Sequence, residues 1–112
     1  MVTPAIGSVV LVPFPFSDLS VSKLRPALVL ADAGRGDWIC AQITSNPYSD
    51  RKAIELTEAG FASGGLDRTS YIRPAKLFTA NETLFRRCVA EVNETVLGNV
   101  IDAIVALLRS TR

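Results

Sequence analysis

Histidine is absent from this 112-residue chain. Its absence removes the commonest general base and metal ligand, and with them the usual serine and cysteine nucleophile systems. Cysteine is scarce: there are 2, Cys40 and Cys88, and they form no close pair. Without histidine a zinc site would need four thiolate or carboxylate ligands, and the sequence has no such cluster. No metal and no cofactor is expected, and both thiols are read as buried small apolar side chains. A surplus of one charge is also lacking. Lys+Arg 12 and Asp+Glu 11 leave +1 at pH 7, so binding to nucleic acid needs a local patch rather than bulk charge. There is no Gly-rich phosphate loop and no basic leader with a cleavage signature. The apolar C-terminal stretch, Val96 to Leu108, is interrupted by Gly98, Asn99 and Asp102 and is too short to span a bilayer. A soluble, cytoplasmic protein with no membrane partner is expected.

What is present is an ordinary globular composition, 48% hydrophobic and 21% charged, read as one domain over residues 1–112. Val9 to Val12 is a continuous apolar run, as in a strand buried on both faces. Pro13-Phe14-Pro15-Phe16 follows, and prolines cannot donate to a ladder, so this part lies on an edge or leaves the sheet. Ser17 to Lys23 is a polar loop. Pro26 to Leu30 reads as a second strand, closed by a turn at Gly34-Arg35-Gly36. Trp38 to Thr44 is a third, with Trp38, Cys40 and Gln42 on one face and Ile39, Ala41 and Ile43 on the other. Ala53 to Leu56 is a short fourth strand, Gly60 to Asp67 a loop broken at Gly64-Gly65, and Ser70 to Leu77 a strand with Pro74 marking an edge or bulge. Residues Asn81 to Val92 fit a helical turn or a strand. Val96, Leu97, Val100, Ile101, Ile104, Leu107 and Leu108 recur at helical spacing, with Asn93 as N-cap, Glu94 in the first turn and Arg109 in the last. Short strands with short connections predict a small β-barrel with a C-terminal helix packed on it, a mainly β, α+β fold.

The chemistry left to such a chain rests on hydroxyls and cations near strand ends: Arg25, Thr44, Ser45, Ser70, Arg73 and Lys76. Pro26 biases Arg25 toward extended backbone. A guanidinium stays charged at any working pH and offers five donors in a planar fork suited to phosphate. Thr44 opens the sequence Thr44-Ser45-Asn46, where the third strand gives way to a loop. Taken alone, Arg25 reads equally well as a solvent-facing cation, and Thr44 reads more readily as a plain β-branched strand residue. Phe14 and Phe16 suit base stacking or core packing, and Tyr48 poses the same choice. Arg86-Arg87 reads as a solvated pair and Trp38 as core.

Four segments taken together resemble the MazF/PemK family of toxin endoribonucleases from bacterial toxin–antitoxin pairs. They are Gly7 to Phe16, Lys23 to Leu30 with its Arg-Pro, Ala41 to Asn46 with its Ile-Thr-Ser, and Ser70 to Thr79. The resemblance implies a small SH3-like barrel and a homodimer. It implies metal-independent cleavage of single-stranded RNA, commonly mRNA, and neutralisation by a cognate antitoxin whose C-terminal segment blocks the RNA groove. The family's catalytic arginine falls on Arg25 and its catalytic threonine on Thr44. Phe16, Ser17, Lys23, Ser45, Asn46, Ser70 and Lys76 are expected to meet the substrate. Ser8 stands where many relatives carry an acidic residue. Ala75 and Lys76 stand where others carry Glu-Gln. The gyrase-poisoning CcdB toxins are similar in fold, so a non-catalytic toxin or an RNA-binding module is the alternative.

Overall fold

A computed structural model describes residues 3–15, 22–47 and 50–110. Seven strands appear in chain order: β1 (Ser8–Pro15), β2 (Ser22–Gly34), β3 (Asp37–Thr44), β4 (Ile54–Leu56), β5 (Phe61–Gly64), β6 (Ser70–Asn81) and β7 (Arg87–Val92). One helix, α1 (Glu94–Leu108), follows β7, and single 3-10 turns lie at Glu58–Gly60 and Glu82–Leu84. The strands form a seven-stranded sheet in the order β4-β6-β3-β2-β1-β7-β5, and every pairing is antiparallel. Its two edges, β4 and β5, are consecutive in the chain. From Leu56 to Phe61 the chain can reach at most about 18 Å, so the sheet must curl until its edges approach. The result is the half-closed barrel expected of short strands and short links.

Alternation along the strands sorts side chains into two cores. Val9, Leu28, Leu30, Ala41, Ile43, Leu56 and Ile72 face inward and are covered by Val96, Leu97, Val100 and Ile104 of α1. On the opposite face Val10, Val12, Ala27, Val29, Cys40, Ala80 and Phe85 pack with Phe14, Trp38 and Phe78. Burying a side chain such as Leu28 or Ile43 stabilises by about 1.5–3 kcal/mol. The continuous run Val9-Val10 is thus shared between two cores, which is why it lacks alternation.

The helix begins where its cap dictates. The Val96 amide donates to Asn93 Oδ1 at 2.9 Å, while Asn93 Nδ2 donates to the Ala59 carbonyl at 3.0 Å. The cap therefore also fastens α1 to the turn that joins the sheet edges. Arg109 is the C-cap rather than a last-turn residue. The apolar stripe is wider than the surface it covers, because Ile101, Val105 and Leu108 remain exposed.

Several expectations need correction. β2 extends at both ends beyond Pro26–Leu30, although it turns where expected, at Gly34, Arg35 and Gly36, all with positive φ. The stretch after Gly60 is not simply loop: Phe61–Gly64 is a strand paired with β7. Residues Asn81 to Val92 hold both a 3-10 turn and a strand. Pro74, by contrast, marks a bulge as expected: it lies in β6, between β4 and β3, where the β3–β6 register shifts between Ala41 and Gln42. Cys88 is exposed, not buried.

Cys40 is buried, and desolvation pushes its thiol from 9.0 up to about 11. The folded state therefore keeps a proton that the unfolded chain releases, so this burial contributes stability that is lost as pH rises from 9.0 through about 11. At about pH 8 a thiol reagent is expected to modify Cys88 in the native protein and Cys40 only after unfolding. Two equally fast thiols in the native state would contradict this placement.

Candidate active site

The second face of the sheet changes from apolar to polar along β2 and β3. Ala27 pairs with Gln42 and Val29 with Cys40, so these side chains share the face of the smaller core. Arg25 and Thr44 are the next residues on that face, one on each strand, just past the Ala27–Gln42 pair. Across the neighbouring ladder Thr44 pairs with Tyr71 and Gln42 with Arg73, and Tyr71 pairs in turn with Glu55 of β4. On the other side Arg25 pairs with Val12, and Lys23 with Phe14. A band of Glu55, Tyr71, Thr44, Arg25 and Lys23 thus crosses four strands, with Gln42 and Arg73 alongside it.

Local chemistry holds Thr44 at the middle of this band and Arg73 beside it. The Thr44 hydroxyl donates to the Asn46 carbonyl at 3.0 Å, and the Asn46 amide donates back to Thr44 Oγ1 at 3.2 Å. Such a side-chain turn is what a threonine offers where a strand ends. Arg73 Nε donates to Asp50 Oδ2 at 2.7 Å, and Arg73 NH1 lies 3.5 Å from Gln42 Oε1. The Arg73 guanidinium holds the Asp50 carboxyl below its ordinary range. Partial burial opposes this, and the Lys52 amide assists it. A positively charged, hydroxyl-bearing band beside aromatic side chains can hold an extended polyanion and place donors around one phosphate.

The sequence profile of the PemK-like, MazF-like toxins of type II toxin–antitoxin systems matches residues 5–108. The chain belongs to that family. Its fold has close counterparts among solved structures. A MazE–MazF complex from Deinococcus radiodurans superposes with a TM-score of 0.75 at 22% identity, covering 96% of this chain and 97% of that one. An endoribonuclease with its cognate antitoxin from mycobacterial species gives 0.71 at 16% identity, covering 100% and 99%. Mycobacterium tuberculosis toxin MazF-mt6 gives 0.69 at 15%, covering 94% and 99%. Comparison with curated protein sequences gave no match.

In this PemK-like, MazF-like chain the expected site residues divide. Arg25, Lys23 and Thr44 come together on one face, with Asn46 bonded to Thr44 and Ser45 exposed at the turn. Ser70 does not join them. It pairs with Leu56, is buried on the α1 side of the sheet, and its hydroxyl donates to the Arg68 carbonyl at 3.0 Å. Strand alternation, one residue off from Tyr71, turns it away. Lys76 is exposed at the β6 bulge. Phe16, Ser17, Tyr48 and most of the loop to Lys23 lie outside the described residues. Phe14 resolves toward packing, its ring 5.0 Å from that of Phe78 in an edge-to-face contact.

Sequence reading missed Gln42, Asp50, Glu55 and Tyr71. Gln42 and Tyr71 were recoverable, because each alternates with a residue already placed. Asp50 was not, since it reaches the face only through a connection whose course no periodicity encodes.

Proposed function

We propose that this chain is a metal-independent endoribonuclease toxin. It cleaves single-stranded RNA, mRNA in the cell, at a short sequence, and a cognate antitoxin restrains it. The observation that carries the reading is the placement of Arg25 and Thr44 on one face of a chain from a toxin family. Proteins of the same fold include an endoribonuclease and antitoxin complexes, which supports the substrate and partner classes.

The reaction is attack of a ribose 2′-oxygen on the adjacent phosphorus. The O2′–P bond forms, the P–O5′ bond breaks, the 2′-hydroxyl proton leaves to solvent, and the departing O5′ takes a proton. A 2′,3′-cyclic phosphate and a 5′-hydroxyl result. DNA lacks the attacking group and is not a substrate. Arg25 donates to the phosphorane oxygens and balances their growing charge. A guanidinium holds its proton too tightly to serve as a base, so its role is electrostatic. Thr44 adds a donor by rotating its hydroxyl from the Asn46 carbonyl to a phosphate oxygen, while the Asn46 amide keeps Oγ1 in place. The exchanged hydrogen bond costs about 0.5–1.5 kcal/mol, which a charged acceptor returns.

The toxin acts as a homodimer. The exposed apolar residues Ile101, Val105 and Leu108 of α1 give subunit or antitoxin contacts a surface to cover. The test is incubation with unstructured RNA and its all-deoxy counterpart, with and without chelator. Cleavage of RNA alone, unaffected by chelator and ending in cyclic phosphate, is expected. RNA left intact would favour the non-catalytic reading. Thr44→Ser is expected to keep most activity, and Thr44→Val to lose roughly 10- to 100-fold, the worth of a hydrogen bond to a charged group. Equal rates for the two variants would remove the hydroxyl from the mechanism.

A further inference from the structure

Resting on the nuclease reading, we propose that Asp50 is a positioning residue of the cleavage site. Its ion pair with Arg73 pins the connection between β3 and β4 onto β6, and thereby fixes the turn that carries the Thr44 hydroxyl. The sequence shows Asp50 only as one acid in a polar stretch. In the fold it is the point where four bonds meet. Its amide donates to the Pro47 carbonyl at 2.9 Å, and its carbonyl accepts from the Ala53 amide at 3.3 Å. Oδ1 accepts from the Lys52 amide at 3.0 Å, and Oδ2 accepts from Arg73 Nε at 2.7 Å.

These bonds close a circuit around Thr44. From Thr44 the chain runs through the Asn46 turn to Pro47, and the Pro47 carbonyl is tied to Asp50. Asp50 is tied to Arg73, which lies two residues along β6 from Tyr71, the partner of Thr44 across the ladder. The hydroxyl is thus held from both sides, by its strand pairing and by the Asp50 clamp. The clamp sits mostly out of water, with the Arg73 and Asp50 side chains 23% and 11% exposed. Ion pairs that are largely buried hold geometry far better than exposed ones, because separating them strands a charge. Arg73 in this account anchors the connection, and its contribution to cleavage passes through Asp50 and Thr44.

The test is a set of mutant cycles on the full chain, with rates scaled to folded protein. Asp50→Ala is expected to lower kcat by roughly 10- to 100-fold with little change in KM, the cost of misplacing a reacting group by about an ångström. In a Thr44→Val background the same substitution is expected to cost nothing further. Arg73→Ala and the Asp50→Ala/Arg73→Ala double variant are expected to match Asp50→Ala. Additive losses with Thr44→Val, or a deeper loss for Arg73→Ala than for Asp50→Ala, would overturn the assignment. Amide hydrogen exchange supplies a readout independent of RNA. Asp50→Ala is expected to speed exchange at Asn46 and Lys52 while leaving Val29 and Ile43 protected. Unchanged exchange at Asn46, or loss of protection across the sheet, would equally overturn it. If the wild-type protein cleaves no RNA, the nuclease reading fails and the exchange measurements alone decide whether the clamp exists.

Discussion

Arg25→Ala is expected to slow RNA cleavage by roughly 10²–10³, the usual cost of deleting a donor aimed at developing negative charge. The size of the effect follows from what the site lacks. The chain has no histidine, so no imidazole shares the work of charge neutralisation. Lys23 is on the same face but exposed, and an ammonium in water is a weak substitute for a guanidinium next to a packed core. Arg25 itself is half-buried beside Val12. Its truncation leaves the strand ladder on either side intact, and the circular dichroism spectrum is expected to be unchanged. Arg25→Lys is expected to recover part of the rate, since charge returns without the planar fork. Wild-type turnover by folded Arg25→Ala would remove this residue from the mechanism.

The largest stability effect is expected at Gly64, where the sequence suggested only a break in a loop. Gly64 ends β5 with φ +67, and a Cβ built there would lie 2.3 Å from the Val89 carbonyl oxygen and 2.8 Å from Ala90 Cα. Both are backbone atoms of β7, so no side chain can turn aside to make room. Gly64→Ala combines left-handed strain of about 1–2 kcal/mol with forced separation of β5 from β7. A total loss of about 2–4 kcal/mol is expected, read as a fall in Tm of roughly 10–20 °C. Gly65→Ala is the control, because nothing lies within 4 Å of its added methyl and its φ is not positive. Equal Tm values for the two variants would show that the close approach at Gly64 carries no weight. Gly60 differs from both, since its Cβ would meet the ends of Leu56 and Val96 side chains at 2.9 and 3.0 Å, which can yield.

Much of this architecture was legible in the sequence because burial there follows period. The alternation along Trp38 to Ile43 assigns Trp38 and Cys40 to one core and Ala41 and Ile43 to the other, as observed. Asn93 announced the start of α1 through its capping chemistry. The prolines at 13 and 15 signal an edge or a departure from the sheet, and the edge is observed: among the described residues β1 pairs with β7 only as far as Leu11 and with β2 alone beyond it. What stayed hidden depends on contacts between distant segments. β5 is a strand because β7 lies beside it, not because Phe61-Ala62-Ser63-Gly64 has strong strand propensity. Cys88 looked like a core residue by type, yet β7 turns it outward. Arg25 and Thr44 were individually ambiguous, and only the register of β2 on β3 makes them neighbours. Asp50 joins them through side-chain chemistry that has no repeat.

The position of β1 bears on how such a chain comes into being. The first strand is hydrogen-bonded on one side to β2 and on the other to the last strand, β7. Ser8 thus faces Glu91 across the ladder. During synthesis β1 and β2 can form a hairpin early, but the second flank of β1 stays open until residues beyond Val92 have left the ribosome. Contacts so far apart in sequence also make assembly slow, because the intervening chain must be ordered before they form. Closure of the sheet thus waits on β7, whereas the face that carries Arg25 and Thr44 draws only on β2, β3, β4 and β6 and is laid down before it.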